Sequence, residues 1–230
     1  MPERTSLLLI ESGLVHPSVQ ARRMFRSLAR RVWERRTGSV GNALVSVSPR
    51  RALRPLEEAE ATLAVLYLHH PRRNDALVRR LRSFVGSGGS LLGIHSATAS
   101  FKGDGAYGEL LGGIFTGHAS VRQIELVRTE LAEELVHESS VARSALPSSL
   151  VVRDEPYHHE FARDVTPWYR YDGKHAATWT AEFGSGRVGY FMPGHRAAVW
   201  THPAVESVLA ALIEYLVGGE RPARVHGAST

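Results

Sequence analysis

LAVLYLHHPRRNDALVRRLRSFVGSGGSLLGI (63–94) decides the fold. Its first six residues, Leu63–Leu68, are apolar without alternation, as a strand covered on both faces must be. Its last five, Ser90–Ile94, read as a second strand of the same kind. Between them Asn74 or Asp75 can cap a helix in which Leu77, Leu81 and Phe84 or Val85 form one stripe; Gly86, Gly88 and Gly89 end it. Strand, helix and strand in this order form a crossover between parallel strands.

The same rhythm runs upstream. Ser6–Ile10 (SLLLI) predicts a first strand. Pro17 and Ser18 open a helix with apolar Phe25, Leu28 and Val32, stopped by Gly38, and Ala43–Val47 is a weaker second strand. Alternation of this kind predicts an α/β protein: a mainly parallel, doubly wound sheet with helices on both faces. Ligands in such sheets bind beyond the carboxyl ends of the strands, so the residues after Ile10, Leu68 and Ile94 are the places to search. From about 119 the pattern changes. Gln123–Val127 and Leu150–Val152 read as strands, and Ala176–Phe183 with Arg187–Met192 as a hairpin turning at Gly184-Ser185-Gly186. A last helix covers about 203–217. One domain is expected over 1–219, with 220–230 a flexible tail.

Composition narrows the classes. The 230 residues are 43% hydrophobic and 22% charged, an ordinary globular balance. No apolar run approaches the ~18–20 residues of a membrane span, and no secretory leader pattern is visible, so a soluble cytoplasmic protein is expected. The absence of cysteine excludes disulfides, a thiolate nucleophile and zinc–thiolate sites. Only Lys102 and Lys174 are lysines, so 26 of the 28 basic residues are arginines, seven of them between Arg22 and Arg36. Such a helix face can meet nucleic acid, and Phe25 and Trp33 lie among the arginines. Helical spacing puts both aromatics on or beside the apolar stripe, however, and a solvated basic face is the expected outcome.

Chemistry-bearing residues gather at the ends of elements. His95 follows Ile94 at a strand exit, where a tight turn holds a side chain above the sheet edge as a nucleophile elbow does; Ser96 and Thr98 follow it. In Gly112–His118 the glycines let the backbone pass close to a ligand or another segment, with an ordinary glycine-rich loop as the alternative. Asp154-Glu155-Pro156-Tyr157-His158-His159 packs two carboxylates, a phenol and two imidazoles into six residues, with a polar surface loop as the alternative. Gly194-His195 lies at the exit of Arg187–Met192, and His69-His70 after Leu68 is a weaker candidate.

Taken together, GGSLLGIHSATASF (88–101), LLGGIFTGH (110–118), DEPY (154–157), WTAEFGSGRVGYFMPGH (179–195) and HP (202–203) resemble the ThuA-like, or trehalose utilisation, proteins. These are relatives of the class I glutamine amidotransferases with a flavodoxin-like doubly wound fold. The resemblance implies a role in carbohydrate metabolism, on a disaccharide or keto-sugar. It also implies no glutaminase activity. Where an amidotransferase has its elbow cysteine this chain has His95, and where a glutamate follows the catalytic histidine by two residues, Ala197 follows His195.

On this reading His95, His118 and His195 serve as acid/base groups and Glu155 accepts a proton or a sugar hydroxyl. Ser96, Thr98, Tyr157, Gly117 and Gly194 are the expected substrate contacts. All four acid/base groups are expected to converge at the carboxyl edge of the sheet. Imidazoles with a carboxylate also suit a divalent ion, but no tight ligand spacing supports one, and cofactors stay unassigned. The expected partner is a small sugar-type ligand, with neither nucleic acid nor membrane, and a homo-oligomer stays open. A non-catalytic sugar-binding or regulatory module is the alternative function.

Overall fold

A computed structural model describes residues 5–12, 16–38, 44–58, 61–138 and 146–218. In chain order, β1 (Thr5–Ser12), α1 (Ser18–Thr37), β2 (Leu44–Val47), α2 (Leu53–Glu57), β3 (Ala61–Leu68), α3 (Asp75–Gly86) and β4 (Ser90–Ile94) make the first half. Local chemistry sets the ends of its helices. The Asn74 side chain accepts the Leu77 N–H at 3.2 Å, capping α3. Gly38 closes α1 in the left-handed conformation, φ +68°, which glycine enters without a Cβ penalty.

Successive strand residues point to opposite faces, and both faces are covered. Leu7, Leu9, Leu63, Val65, Tyr67, Leu92 and Ile94 lie in one buried cluster with the apolar residues of α1. Leu8, Ile10, Ala64, Leu66, Leu68 and Leu91 pack with α2 and α3. Each large aliphatic side chain buried this way is worth roughly 1.5–3 kcal/mol, which is why these strands carry no polar alternation.

The second half contains α4 (Gly105–Leu111), β5 (Gly113–His118), β6 (Arg122–Arg128), α5 (Glu130–Glu138), β7 (Ser149–Asp154), β8 (Tyr157–Phe161), β9 (Thr166–Tyr171), β10 (His175–Phe183), β11 (Gly186–Phe191) and α6 (Pro203–Val217). α4 adds to the α2–α3 face and α6 to the α1 face. Nine strands form one sheet in the order β2-β1-β3-β4-β11-β10-β9-β6-β7, and β5 pairs with β8 in a separate two-stranded sheet. From β2 to β11 every pairing is parallel. From β11 to β7 every pairing is antiparallel.

The sheet is therefore mixed, and the expected parallel order holds for the half that contains β4. The β10–β11 hairpin explains the change: the two-residue connection Gly184-Ser185 can only join antiparallel strands. Its glycine is required by space as well, since a Cβ on Gly186 would lie 2.1 Å from the carbonyl oxygen of Gly89, just before β4. Two segments for which a loop was the alternative reading are strands. Gly113–His118 is strand β5 and Tyr157–Phe161 is strand β8, paired antiparallel with each other.

Phe25 is fully buried and Trp33 nearly so, on the inner side of the arginine-rich α1. On its outer side Arg22 pairs with Glu11, and Arg31 and Arg35 pair with Glu206 and Glu214 of α6. No helix among the described residues is long and apolar enough to cross a membrane. The expected tail from 220 lies outside the described residues.

Candidate functional site

The carboxyl ends of three parallel strands each deliver one histidine to the same place: His16 after β1, His95 after β4 and His195 after β11. Their rings approach with centroids 5.2 Å apart for His16 and His95, 5.5 Å for His16 and His195, and 5.6 Å for His95 and His195.

His95 is the most constrained of the three. It opens the turn of 3-10 helix at His95–Ala97 with φ +47°, a left-handed conformation that costs a non-glycine residue about 1–3 kcal/mol unless its surroundings enforce it. They do so at several points. The Tyr190 hydroxyl donates to the His95 carbonyl at 2.8 Å, and the ring Nδ1 lies 2.9 Å from the Met192 carbonyl. A carbonyl can only accept, so Nδ1 carries the hydrogen and Nε2 faces the cluster. There it meets the Tyr157 hydroxyl at 3.1 Å and Glu155 Oε2 at 3.6 Å. Gly194 completes the enclosure: a Cβ there would stand 2.8 Å from the Cβ of His95.

Glu155 is the hub. Its Oε2 is 3.6 Å from His195 Nδ1 as well as from His95 Nε2, and its Oε1 is 4.0 Å from His118 Nδ1. The approach of the His95 imidazole holds its carboxyl below the usual carboxylate range. Burial pulls the other way, and His195 and His118 add to the lowering. His16 is held neutral, its pKa lowered to about 4 by burial first and then by the neighbouring His95 and His195. Burial raises the Tyr157 hydroxyl above its ordinary value, so it remains a protonated donor.

Asp154 locks this arrangement together. Fully buried, it accepts the Gly194 N–H at 2.7 Å and the His195 N–H at 3.1 Å on Oδ2, and the Glu155 N–H at 2.9 Å on Oδ1. One carboxylate thus ties the end of β7 to the segment after β11. Tyr67 adds a hydrogen bond of 2.6 Å to the Gly194 carbonyl.

The expected residues fall into three groups. His95, His195, Glu155, Tyr157 and Gly194 come together in the cluster, and His118 stands at its rim with a side chain 45% exposed. Ser96 and Thr98 flank the cluster with their hydroxyls already engaged. The Ser96 hydroxyl donates to the Leu68 carbonyl, while that of Thr98 is within 3.3 Å of the His95 carbonyl, the Tyr190 hydroxyl and His159 Nε2. Both are buried and spend their hydroxyls bracing the elbow. Gly117 lies in β5 opposite His158, with nothing within 4 Å of the place its Cβ would take. Of the weaker pair, His69 is exposed with its ring 6.3 Å from His16, and His70 Nδ1 is bound to the Arg72 carbonyl. His202 of the HP pair caps α6, its Nδ1 accepting the Ala204 N–H. Sequence reasoning missed His16 and the clamping role of Asp154. The rule that points past the end of β1 would have led to His16 had it been followed five residues further. A cleft of about 270 Å³ lined by Tyr157, His159, Phe161, Lys174, His175 and Ala176 shares Tyr157 with the cluster but excludes Glu155 and the three histidines around it.

The family profile described as ThuA, trehalose utilisation, matches residues 7–216. The chain belongs to the ThuA family. Solved structures agree at the level of fold. A ThuA-like protein from Parabacteroides merdae superposes with a TM-score of 0.68 at 14% identity, covering 96% of this chain and 93% of its own. One from Bacteroides uniformis gives 0.61 at 15%, covering 92% and 91%. A beta-galactosidase from Bacillus circulans gives 0.62 at 11%, covering 92% of this chain but 31% of that enzyme. Comparison with curated proteins finds no sequence match.

Proposed function

We propose that this ThuA-family chain is an enzyme of carbohydrate metabolism. It acts by acid–base chemistry on a disaccharide or keto-sugar seated in a His-rich pocket at the carboxyl edge of the sheet. The observation that carries the reading is Glu155: one ionised carboxylate with His95 and His195 at 3.6 Å and His118 at 4.0 Å. Glu155 takes a proton from a sugar hydroxyl or from a carbon beside a sugar carbonyl, and an imidazole of the rim returns one. Tyr157, which stays protonated, donates a hydrogen bond to the sugar oxygen that gains charge. Family membership supports the sugar class. The parallel order β2-β1-β3-β4-β11 supports a flavodoxin-like doubly wound core, in which ligands bind where these histidines stand.

The same reading excludes glutamine hydrolysis, since His95 occupies the elbow and the chain has no thiol to form an acyl-enzyme. The test is to incubate the protein with trehalose, other disaccharides and their keto forms and to follow the sugars by NMR. We expect turnover of at least one, reduced about 10²–10⁴-fold by Glu155→Gln, and no ammonia from glutamine above a buffer control. His95→Asn tests the elbow separately, because asparagine tolerates the left-handed backbone. Binding without turnover would make the chain a sugar-binding module, and a folded protein that binds none of the series would overturn the carbohydrate reading.

A further inference from the structure

The three histidines at the strand ends do more than surround Glu155. One ring nitrogen from each of His16, His95 and His195 lies within 4.8 Å of the other two. A common point is therefore no more than about 2.8 Å from each, and metal–imidazole bonds are about 2.0–2.1 Å. Closing that gap takes less than about 1 Å of movement per ring. Two features mark this as more than crowding. His16 Nδ1 is buried and has no hydrogen-bond partner. His95 has its Nδ1 bound to the Met192 carbonyl, which fixes the tautomer and presents Nε2, as the outer-shell partner of a metal-bound histidine does.

The carboxylate fits the same geometry. Glu155 Oε2 stands 3.6 Å from both His95 Nε2 and His195 Nδ1, too far for good hydrogen bonds. Neighbouring ligands of a tetrahedral ion with bonds of about 2.1 Å are about 3.4 Å apart, so these are the distances expected of groups around one ion.

We propose that His16, His95 and His195 bind one divalent transition-metal ion of the zinc or cobalt class, with Glu155 beside the remaining coordination position. Imidazole donors without thiolates or a carboxylate cage favour such ions over magnesium or calcium. Bound there, the ion acts as a Lewis acid for an oxygen placed next to Glu155. His95 then serves as a ligand, and Glu155 and His118 remain to move protons. This proposal does not rest on the carbohydrate reading.

The experiment uses the full chain, stripped with chelator and with no sugar present. Calorimetric titration with zinc chloride should show one equivalent bound. His16→Ala and His195→Ala should each weaken binding at least tenfold, and His175→Ala, on strand β10 away from the cluster, should leave it unchanged. Circular dichroism checks that each variant is folded. Should the alanine variants fail to fold, the cobalt-loaded wild-type protein decides alone: intense visible bands of a four- or five-coordinate ion support the site. The weak spectrum of an octahedral, water-rich ion overturns it. Absence of stoichiometric binding, or binding that both histidine variants retain in full, also overturns the proposal.

Discussion

The two halves of the sheet contribute to the cluster in different ways. The parallel half, β2-β1-β3-β4-β11, supplies His16, His95 and His195 from one kind of position, just past the carboxyl end of a buried strand. There the side chain's place follows from the strand, and the strand follows from its apolar residues. Glu155, Tyr157 and His118 come from outside that half: Glu155 from the segment after β7, the other two from the small β5–β8 sheet. Nothing periodic places them. Their position depends on specific polar contacts, of which the Asp154 clamp is the chief. A substitution there should therefore do what no single apolar change in the parallel half does: separate the acid from the histidines.

The largest effect expected is at that clamp. Asp154→Ala orphans the N–H groups of Gly194, His195 and Glu155. One buried unsatisfied donor alone costs about 1–3 kcal/mol, so the loss should be about 3 kcal/mol or more, measured by urea denaturation. Asp154→Asn keeps an acceptor for one side only and should recover less than half. A cost below about 1 kcal/mol for the alanine variant would mean that the two halves hold together without the clamp.

Acid should expose the next difference. Burial lowers the pKa of His159, on β8, to about 3 and that of His16 to about 4. In the unfolded chain both bind a proton near the ordinary imidazole value of about 6.5. Below that pH the unfolded state holds more protons than the folded one, so stability is intact above it and falls as the pH drops. The slope is roughly 1.4 kcal/mol per pH unit for the deeply buried His159. His16, more exposed, adds less. Glu155, also lowered, acts in the same direction but only below its usual range. Denaturation midpoints taken with chelator between pH 7 and 5 should fall, and His159→Phe should flatten the curve more than His16→Phe. Equal stability at pH 6.5 and 5 would show that neither imidazole is held neutral.

Much of this was legible, and the reason differs by half. Leu63–Leu68 and Ser90–Ile94 admit only a doubly covered strand, so β3, β4 and the place of His95 could be read directly. Phe25, Leu28 and Val32 likewise put the arginines of α1 outside. Gly113–His118 and Tyr157–Phe161 could not be read as strands. β5 and β8 pair only with each other, and with many glycines and histidines they carry no run of apolar residues. The hydrogen bonds of Ser96 and Thr98 were not legible, because a hydroxyl beside a catalytic candidate looks the same in sequence whether it faces a ligand or braces a backbone carbonyl. His16 stands four residues past β1, as His195 stands four past β11, and the same strand-end rule points to both although only His195 was read.

Two glycines from the two regions give a smaller contrast. Gly194→Ala places a methyl group 2.8 Å from His95 Cβ, and forced overpacking of this kind costs about 1–3 kcal/mol. Gly117→Ala meets nothing within 4 Å and should change stability by less than about 0.5 kcal/mol. Similar costs at both would show that the segment around Gly194 yields easily and does not fix His95.

The smallest effect belongs to the arginines of α1. Arg31 pairs with Glu206 and Arg35 with Glu214, both across to α6, and each arginine side chain is more than half exposed. Exposed pairs of this kind are typically worth about 0.2–1 kcal/mol, since water screens the charges and two long side chains lose freedom. The helix is held instead by Phe25, Leu28, Ala29 and Val32, which are fully buried against the sheet. Arg31→Ala and Arg35→Ala together should therefore cost less than about 2 kcal/mol, and the cost should shrink as salt is raised. His16, His95 and His195 stand past the carboxyl ends of buried strands and take no part in either ion pair, so zinc affinity and turnover should not change in this double variant. A loss of either would show that the ion pairs between α1 and α6 set the position of His16, the one site residue at the mouth of that helix.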